Sequence, residues 1–446
     1  MHSIPQNSTP AAPVAALVRR LGPFDAAAIV ISNVIGGGIF FVPVIVAGLV
    51  PNPMAMLAVW LFGGALAFAG AMAYAELAAV RPHAGGEYVY LRDAFGPLAA
   101  FLTGWTSFVA GFSGAIAASA VALADYVTRF IPSAAGGRPA IAIAAIVALS
   151  LIHVRGLGPG RIVQNVLAAL KVSAIVLIVA LGFAIGHGQA SNLTTGGSTA
   201  AVPWLLALVP VMFSYSGWNA AAYVAEEVRD PTRNVPLALA LGTIGVIVLY
   251  LGLNALFVFA LSTPQLATLD GRLMDTVAER LFGFAAGNLI AIFTIVSLSA
   301  SISAMVLAGP RVYFAMARDG IFVRAAGRVH PRFHTPAAAI VAQAAWSCVL
   351  VLSGTLSQLV NYTGFAVVLF SAIAVAALFV LRRREAHVPR PFSALGYPWA
   401  PAIFVLASAV MVANAFWREP QSTLVGVGVI LLGVPVYYLF RASPRD

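Results

Sequence analysis

One residue pattern in this chain is suited to holding a small zwitterion, and one residue to holding a backbone in place. The pattern is a pair of interruptions in apolar runs: Ile35-Gly36-Gly37-Gly38-Ile39-Phe40 with Pro43 following, and Phe213-Ser214-Tyr215-Ser216-Gly217-Trp218-Asn219. The residue is Lys171, the only lysine in the sequence, set deep in a third apolar run. A helix broken in mid-membrane offers free N–H groups and a positive dipole end on one half, and free carbonyls with a negative end on the other. A carboxylate suits the first and an ammonium suits the second, so two facing breaks hold both ends of a zwitterion without a charged side chain. Each glycine costs about 1 kcal/mol against alanine inside a helix, so three in a row favour unwinding. The competing explanation is close helix packing through small residues, which one GGG alone fits equally well. The matched second break favours the binding explanation.

Lys171 lies about ten residues into its run, roughly 15 Å from the boundary at 1.5 Å per residue. An ammonium there costs at least about 2.5–3.5 kcal/mol on insertion scales, so it is expected to face protein and to mark a functional place. A snorkelling lysine is the alternative, but its stem is short for that depth. Asp25, Glu76, Asp125, Glu226 and Glu227 fall near segment ends, and no carboxylate relay crosses the membrane. A site for a fully cationic substrate normally presents a buried acid, which argues against polyamine or arginine transport.

The elements that must position these residues are membrane helices. Of 446 residues, 61% are hydrophobic and only 9% charged, at a mean hydropathy of +0.94; soluble domains run near 45–50% and about 25%. Continuous apolar runs without period-2 alternation exclude an outer-membrane barrel. Twelve apolar segments are expected, at about 24–47, 54–80, 97–127, 139–154, 162–186, 201–225, 235–261, 282–308, 336–353, 357–381, 398–416 and 421–440. With both termini cytoplasmic, only Arg129, Arg138, Arg272, Arg280 and Arg418 fall on the outer side, and the other nineteen arginines lie inside. The net charge of +10 is therefore an orientation signal and not a nucleic-acid surface. The two breaks sit in the first and sixth segments, five apart, as an inverted repeat of segments 1–5 onto 6–10 requires. The expected layout is a disordered cytoplasmic tail over 1–22, a first repeat over 23–187, a second over 200–382, two further helices over 397–441 and a cytoplasmic tail over 442–446.

Four stretches carry a family resemblance: VIGGGIFFVP (34–43), AYAELAAVRPHAGGEYVYLRDAFGP (73–97), FSYSGWNAAAYVAEEVRDPTRNVPLAL (213–239) and GPRVYFAMARDG (309–320). The chain resembles the amino acid-polyamine-organocation superfamily, in its L-type amino acid transporter branch, over segments 1 to 10. The resemblance implies an all-α polytopic membrane protein of twelve transmembrane helices. Its fold is a LeuT-like 5+5 inverted repeat with helices 1 and 6 broken, plus two C-terminal helices. It further implies that the substrate carboxylate meets Gly36, Gly37 and Gly38, and its ammonium the carbonyls of Ile35, Phe213, Ser214 and Ser216. Phe213 matches an aromatic that closes over substrate and Tyr250 a pocket hydroxyl, against the alternative that both are core residues. Lys171 is similar to a segment 5 lysine near the place where sodium-coupled members of the fold bind a cation. Segment 8 offers Ser297, Ser299, Ser301 and Ser303 as its acceptors. Ser299 and Ser303, sharing a face at i, i+4, are the expected gating pair, against the alternative that serines there bond their own backbone.

The implied function is sodium-independent exchange of neutral L-amino acids across a bacterial cytoplasmic (inner) membrane. The alternatives are a proton-coupled symporter in which Lys171 cycles a proton, and a polyamine or cationic amino acid antiporter of the same superfamily. Many relatives have Gly-Ser-Gly where this chain has Gly36-Gly37-Gly38, so side-chain selectivity is not carried over. No HExxH, GxSxG or paired mid-membrane acids suggest an enzyme, no cofactor or metal is called for, and nothing resembles a channel filter. Apart from substrate and membrane lipid, no nucleic acid is expected as a partner. The single cysteine, Cys348, lies in an apolar run. The loop between segments 3 and 4 lacks the cysteine with which animal relatives bond an accessory glycoprotein, so a monomer or weak homo-oligomer without a disulfide-linked subunit is expected.

Overall fold

The computed structural model describes residues 17–269, 273–283, 286–353, 356–418 and 420–442. Their secondary structure is helical, and the sole β-type pairing among them is an isolated bridge between Leu21 and Val228. In chain order the helices are α1 (Pro23–Val34), α2 (Val42–Leu49), α3 (Pro53–Val80), α4 (Glu87–Phe95), α5 (Pro97–Thr106), α6 (Phe112–Phe130), α7 (Arg138–Val154), α8 (Leu157–Ile185) and α9 (Ala201–Tyr215). They continue as α10 (Ala220–Tyr223), α11 (Pro231–Ala260), α12 (Thr263–Ala267), α13 (Leu273–Phe282), α14 (Ala286–Arg318), α15 (Ala337–Ser353), α16 (Leu356–Arg384), α17 (Trp399–Arg418) and α18 (Pro420–Ala442).

Among the described residues, eight helices are long and apolar enough to cross a membrane; α5 and α6 form one of them, continuous through a π-turn at Ser107–Gly111. The chain is a polytopic membrane protein. α1, α7, α9 and α15 are shorter apolar helices. Local chemistry sets the boundaries. Asn52 caps α3 by accepting from the Ala55 amide at 3.0 Å, with Pro53 following where no amide is needed. Burial then sorts the helices by role. The most apolar window of α14 is 72% buried, whereas that of α8 is 22% buried and exposes Ile162, Val166, Leu170 and Leu177. α14 is thus a central post against α1, α6, α8 and α15, and α8 carries one protein-facing stripe on an otherwise lipid-facing surface.

Arginine–carboxylate pairs tie one end of the bundle together. Arg311 forks onto Glu227 at 2.7 and 3.0 Å, Arg382 and Arg390 both bond Glu76, Arg81 joins Asp93 to Glu385, and Arg92 meets Asp319. Removing one partner of such a buried pair costs more than the pair contributes, because a bare charge is left behind.

Residues 1–16 of the expected N-terminal tail and 443–446 of the C-terminal one lie outside the described residues. The end of the N-terminal tail departs from the expected disorder. Leu21 is fully buried, the Arg20 and Leu21 amides bond the Glu227 carbonyl at 2.9 and 3.0 Å, and the Arg229 amide bonds the Leu21 carbonyl at 2.9 Å. An apolar side chain with a docked strand-like backbone has no reason to stay in water.

Candidate functional site

The first break begins where α1 ends. Ile35 turns out of the helix with ψ 84°, Gly36 follows with ψ −145°, a 3-10 turn covers Gly37–Phe40, and α2 resumes with Pro43 in its first turn. The carbonyls left over at the α1 C-terminus are claimed by side chains. Lys171 Nζ, fully buried, donates to Ser32 O at 3.2 Å, Ile35 O at 2.5 Å and Ser301 Oγ at 3.0 Å. Ser301 Oγ also lies 2.9 Å from Ile35 O. All three ammonium protons therefore have acceptors, and the charge sits at the negative end of the α1 dipole. Lys171 from α8 and Ser301 from α14 together fasten the break.

The second break opens where α9 stops at Tyr215. Ser216 has ψ 143° and its amide bonds Phe213 O at 3.0 Å; Gly217 then takes φ +101°. A Cβ on Gly217 would lie 3.1 Å from the Asn33 backbone, so both conformation and space call for glycine. Tyr250 joins the two breaks: its hydroxyl lies 3.0 Å from Val34 O and 3.0 Å from Ser214 O, donating to one at a time. Trp60 holds that ring edge-on at 5.4 Å. Gly38 packs directly on the second break, where a Cβ would come within 2.7 Å of Ser214 Oγ. Gly37 has nothing within 4 Å of its Cβ position, so a serine there would place its Cβ without meeting a neighbour.

The structure thus brings together Ile35, Gly36, Gly37, Gly38, Phe213, Ser214, Ser216 and Tyr250. Phe213 is half-buried and packs on Phe41 at 6.2 Å between ring centroids. The Ile35 carbonyl, expected to meet the substrate ammonium, instead accepts from Lys171 and Ser301. The expected gating serines are corrected. Ser299 bonds back to Ile295 O at 2.8 Å and Ser303 meets His153 Nε2 at 2.8 Å, and the hydroxyl that reaches Lys171 is that of Ser301. At 100° per residue, Ser301 points away from both, and the i, i+4 partner on its own face is Ser297.

Beside the second break lies a cavity of about 110 Å³, lined among others by Asn33, Ser216, Gly217, Asn219, Tyr223 and Glu87. The absence of carboxylates near the site, expected from the sequence, does not extend to Glu87. Its signal was the GGEY step within residues 85–88, where Gly85 (φ +111°) and Gly86 (φ +51°) turn the chain inward just before α4.

The amino acid permease family model matches residues 21–440, nearly the whole chain. The chain belongs to the amino acid permease family. The permease is 29% identical over 424 residues to the serine/threonine exchanger SteT of Bacillus subtilis (strain 168), covering 95% of this chain and 97% of that one. It is 30% identical to the human cystine/glutamate transporter over 95% of this chain and 85% of the relative. It is 29% identical to the human large neutral amino acids transporter small subunit 2 over 95% and 81%. These relatives place the permease in the amino acid-polyamine-organocation superfamily, among amino acid transporters and not enzymes.

Proposed function

We propose that this permease is a sodium-independent exchanger of small and mid-sized neutral L-amino acids in a bacterial cytoplasmic membrane, with both termini inside. The eight long helices, the two broken ones and the two remaining short ones supply twelve crossings. Residues 23–187 and 200–382 form two inverted repeats that rock about the breaks, with 397–441 alongside. The substrate carboxylate takes the free amides at Gly36, Gly37 and Gly38. Its ammonium takes carbonyls at the second break around Phe213, Ser214 and Ser216, because the Ile35 carbonyl is already engaged. Phe213, beside Phe41, closes over the bound molecule.

The observation that carries this reading is the environment of Lys171. A fixed ammonium spends all its protons bridging the first break to α14, and a mobile sodium ion next to it would meet like charge at short range. A cation therefore has no vacancy to fill and coupling falls to the counter-substrate. The neutral-substrate relatives fit the same reading.

The test is uptake of labelled amino acids into proteoliposomes, with and without internal amino acid, sodium or a pH gradient. Acceleration by internal amino acid and indifference to sodium are expected. Steep dependence on a sodium gradient would sink the proposal, and uptake driven by a proton gradient without counter-substrate would replace exchange by symport. Amines lacking the carboxylate are expected to compete poorly at the central site.

A further inference from the structure

Three glutamates are buried in the arginine-rich end of the bundle, and they differ in one respect. Glu76 holds Arg382 and Arg390, Glu227 holds Arg311, and Glu87 forms no ion pair among the described residues. Glu87 is nevertheless equipped to carry charge. It opens α4, where a helix N-terminus favours an anion. Tyr74 from α3 donates to its Oε2 at 2.7 Å, Thr103 from α5 lies 3.4 Å from Oε1, and the Tyr223 hydroxyl from α10 stands beside it. No arginine, lysine or histidine faces it from these helices. Burial pushes its carboxyl up and the three hydroxyls pull it down, leaving it above the usual range.

This carboxylate faces the cavity beside the second break, several times larger than one water needs. Two further features of the wall point to a ligand. The Thr106 hydroxyl, buried on the same wall, has no hydrogen-bond partner. Ser107 and Gly111, at the two ends of the π-turn, line the cavity as well, and π-turns recur at functional sites because they release backbone groups from the helical ladder.

We propose that Glu87, with Thr103 and Thr106, forms a second ammonium site between the second break and the arginine-rich face, where the amino group of the substrate pauses on entry from or exit to the cytoplasm. Resting on the exchange reading above, this assigns a way-station to the same route. Ser216 and Gly217 border both the break and the cavity, so the break carbonyls and the Glu87 carboxylate open onto one shared space, whose remaining wall is largely apolar (Phe112, Met305 and Phe370 among others) and leaves the carboxylate as the acceptor for an ammonium there. The hydroxyl donors offset part of the burial cost of its charge, an arriving cation would offset more, and its lack of an arginine keeps the place open.

Binding is read first without transport, using ethylammonium as the probe on purified full-length permease. It is expected to raise the thermal midpoint of the parent and not of Glu87→Gln, and the shift is expected to weaken as the pH is lowered and the carboxyl takes up its proton. Equal shifts in parent and variant, or a shift indifferent to pH, overturn the site. Should Glu87→Gln not fold, Thr106→Val and the pH series on the parent decide. In oriented proteoliposomes, Glu87→Gln is expected to raise KM on the cytoplasmic face roughly ten-fold and leave the outer KM unchanged. Equal KM changes on both faces, or none, count against the way-station. A parent that binds ethylammonium through Glu87 yet exchanges no amino acid would instead refute the exchange reading and leave the site standing.

Discussion

The two breaks are built in opposite ways. Around the first, side chains from three helices converge: Lys171 from α8, Ser301 from α14 and Tyr250 from α11 all take carbonyls at the end of α1. Around the second, the chain is turned mainly by its own backbone, through the Ser216 amide and the left-handed Gly217, with the Tyr250 hydroxyl reaching Ser214 O from α11. The Ser216 and Gly217 stretch borders a cavity, whereas Ile35 is fully buried. A break clasped from outside and a break that turns on itself divide the work: the first serves as an anchored pivot, the second as the face that meets solutes.

Lys171→Ala is the sharpest way to break this contrast. Losing hydrogen bonds to a charged donor is worth about 1.5–3 kcal/mol, roughly ten- to a hundred-fold in a two-state equilibrium. Exchange in liposomes is expected to collapse while size-exclusion chromatography stays monodisperse, since removing an intramembrane charge costs no insertion energy. Rates within about two-fold of the parent would return Lys171 to a packing role. Tyr250→Phe removes the hydroxyl that bridges the two breaks and leaves the Val34 and Ser214 carbonyls without it. A loss of about 0.5–1.5 kcal/mol is expected, seen as a roughly two- to ten-fold slower exchange that Tyr250→His does not restore. If the phenylalanine variant matches the parent, the breaks are not coupled through this hydroxyl. Gly37→Ser is expected to do least, within about 0.5 kcal/mol, because nothing lies near its Cβ position. Its readout is the substrate panel, where unchanged turnover with a modest reordering of preferences is expected, and loss of folding would contradict the open space.

The breaks were legible in the sequence because glycines and polar residues inside apolar runs oppose helix propensity, a local effect. Lys171 was legible for a similar reason, since an ammonium in hydrocarbon needs partners wherever the chain goes. Which partners it finds depends on the rotation of α14, and serines at every second position from 297 to 303 put hydroxyls on two opposite faces, 297 with 301 and 299 with 303, so periodicity could not select the Ser301 face. Glu87 was hidden differently. It stands next to Arg92 and Asp93 in a stretch that reads as a solvated loop, and its burial results from α3, α5 and α10 closing over it, contacts distant in sequence. Leu21 is a comparable case, because its partner Val228 lies two hundred residues away along the chain.

The solitary lysine has a practical consequence. Apart from the α-amine at its start, the chain holds one primary amine, and that amine is sealed in the pivot with no exposed surface. Acylating or reductively alkylating reagents in water should therefore leave the ε-amine of the resting permease untouched, and any ε-amine adduct that accumulates during turnover, told apart from the α-amine product by its place in the chain, reports the pivot coming apart. The native polypeptide thus carries its own single-site chemical clock for conformational opening, with no engineered label required.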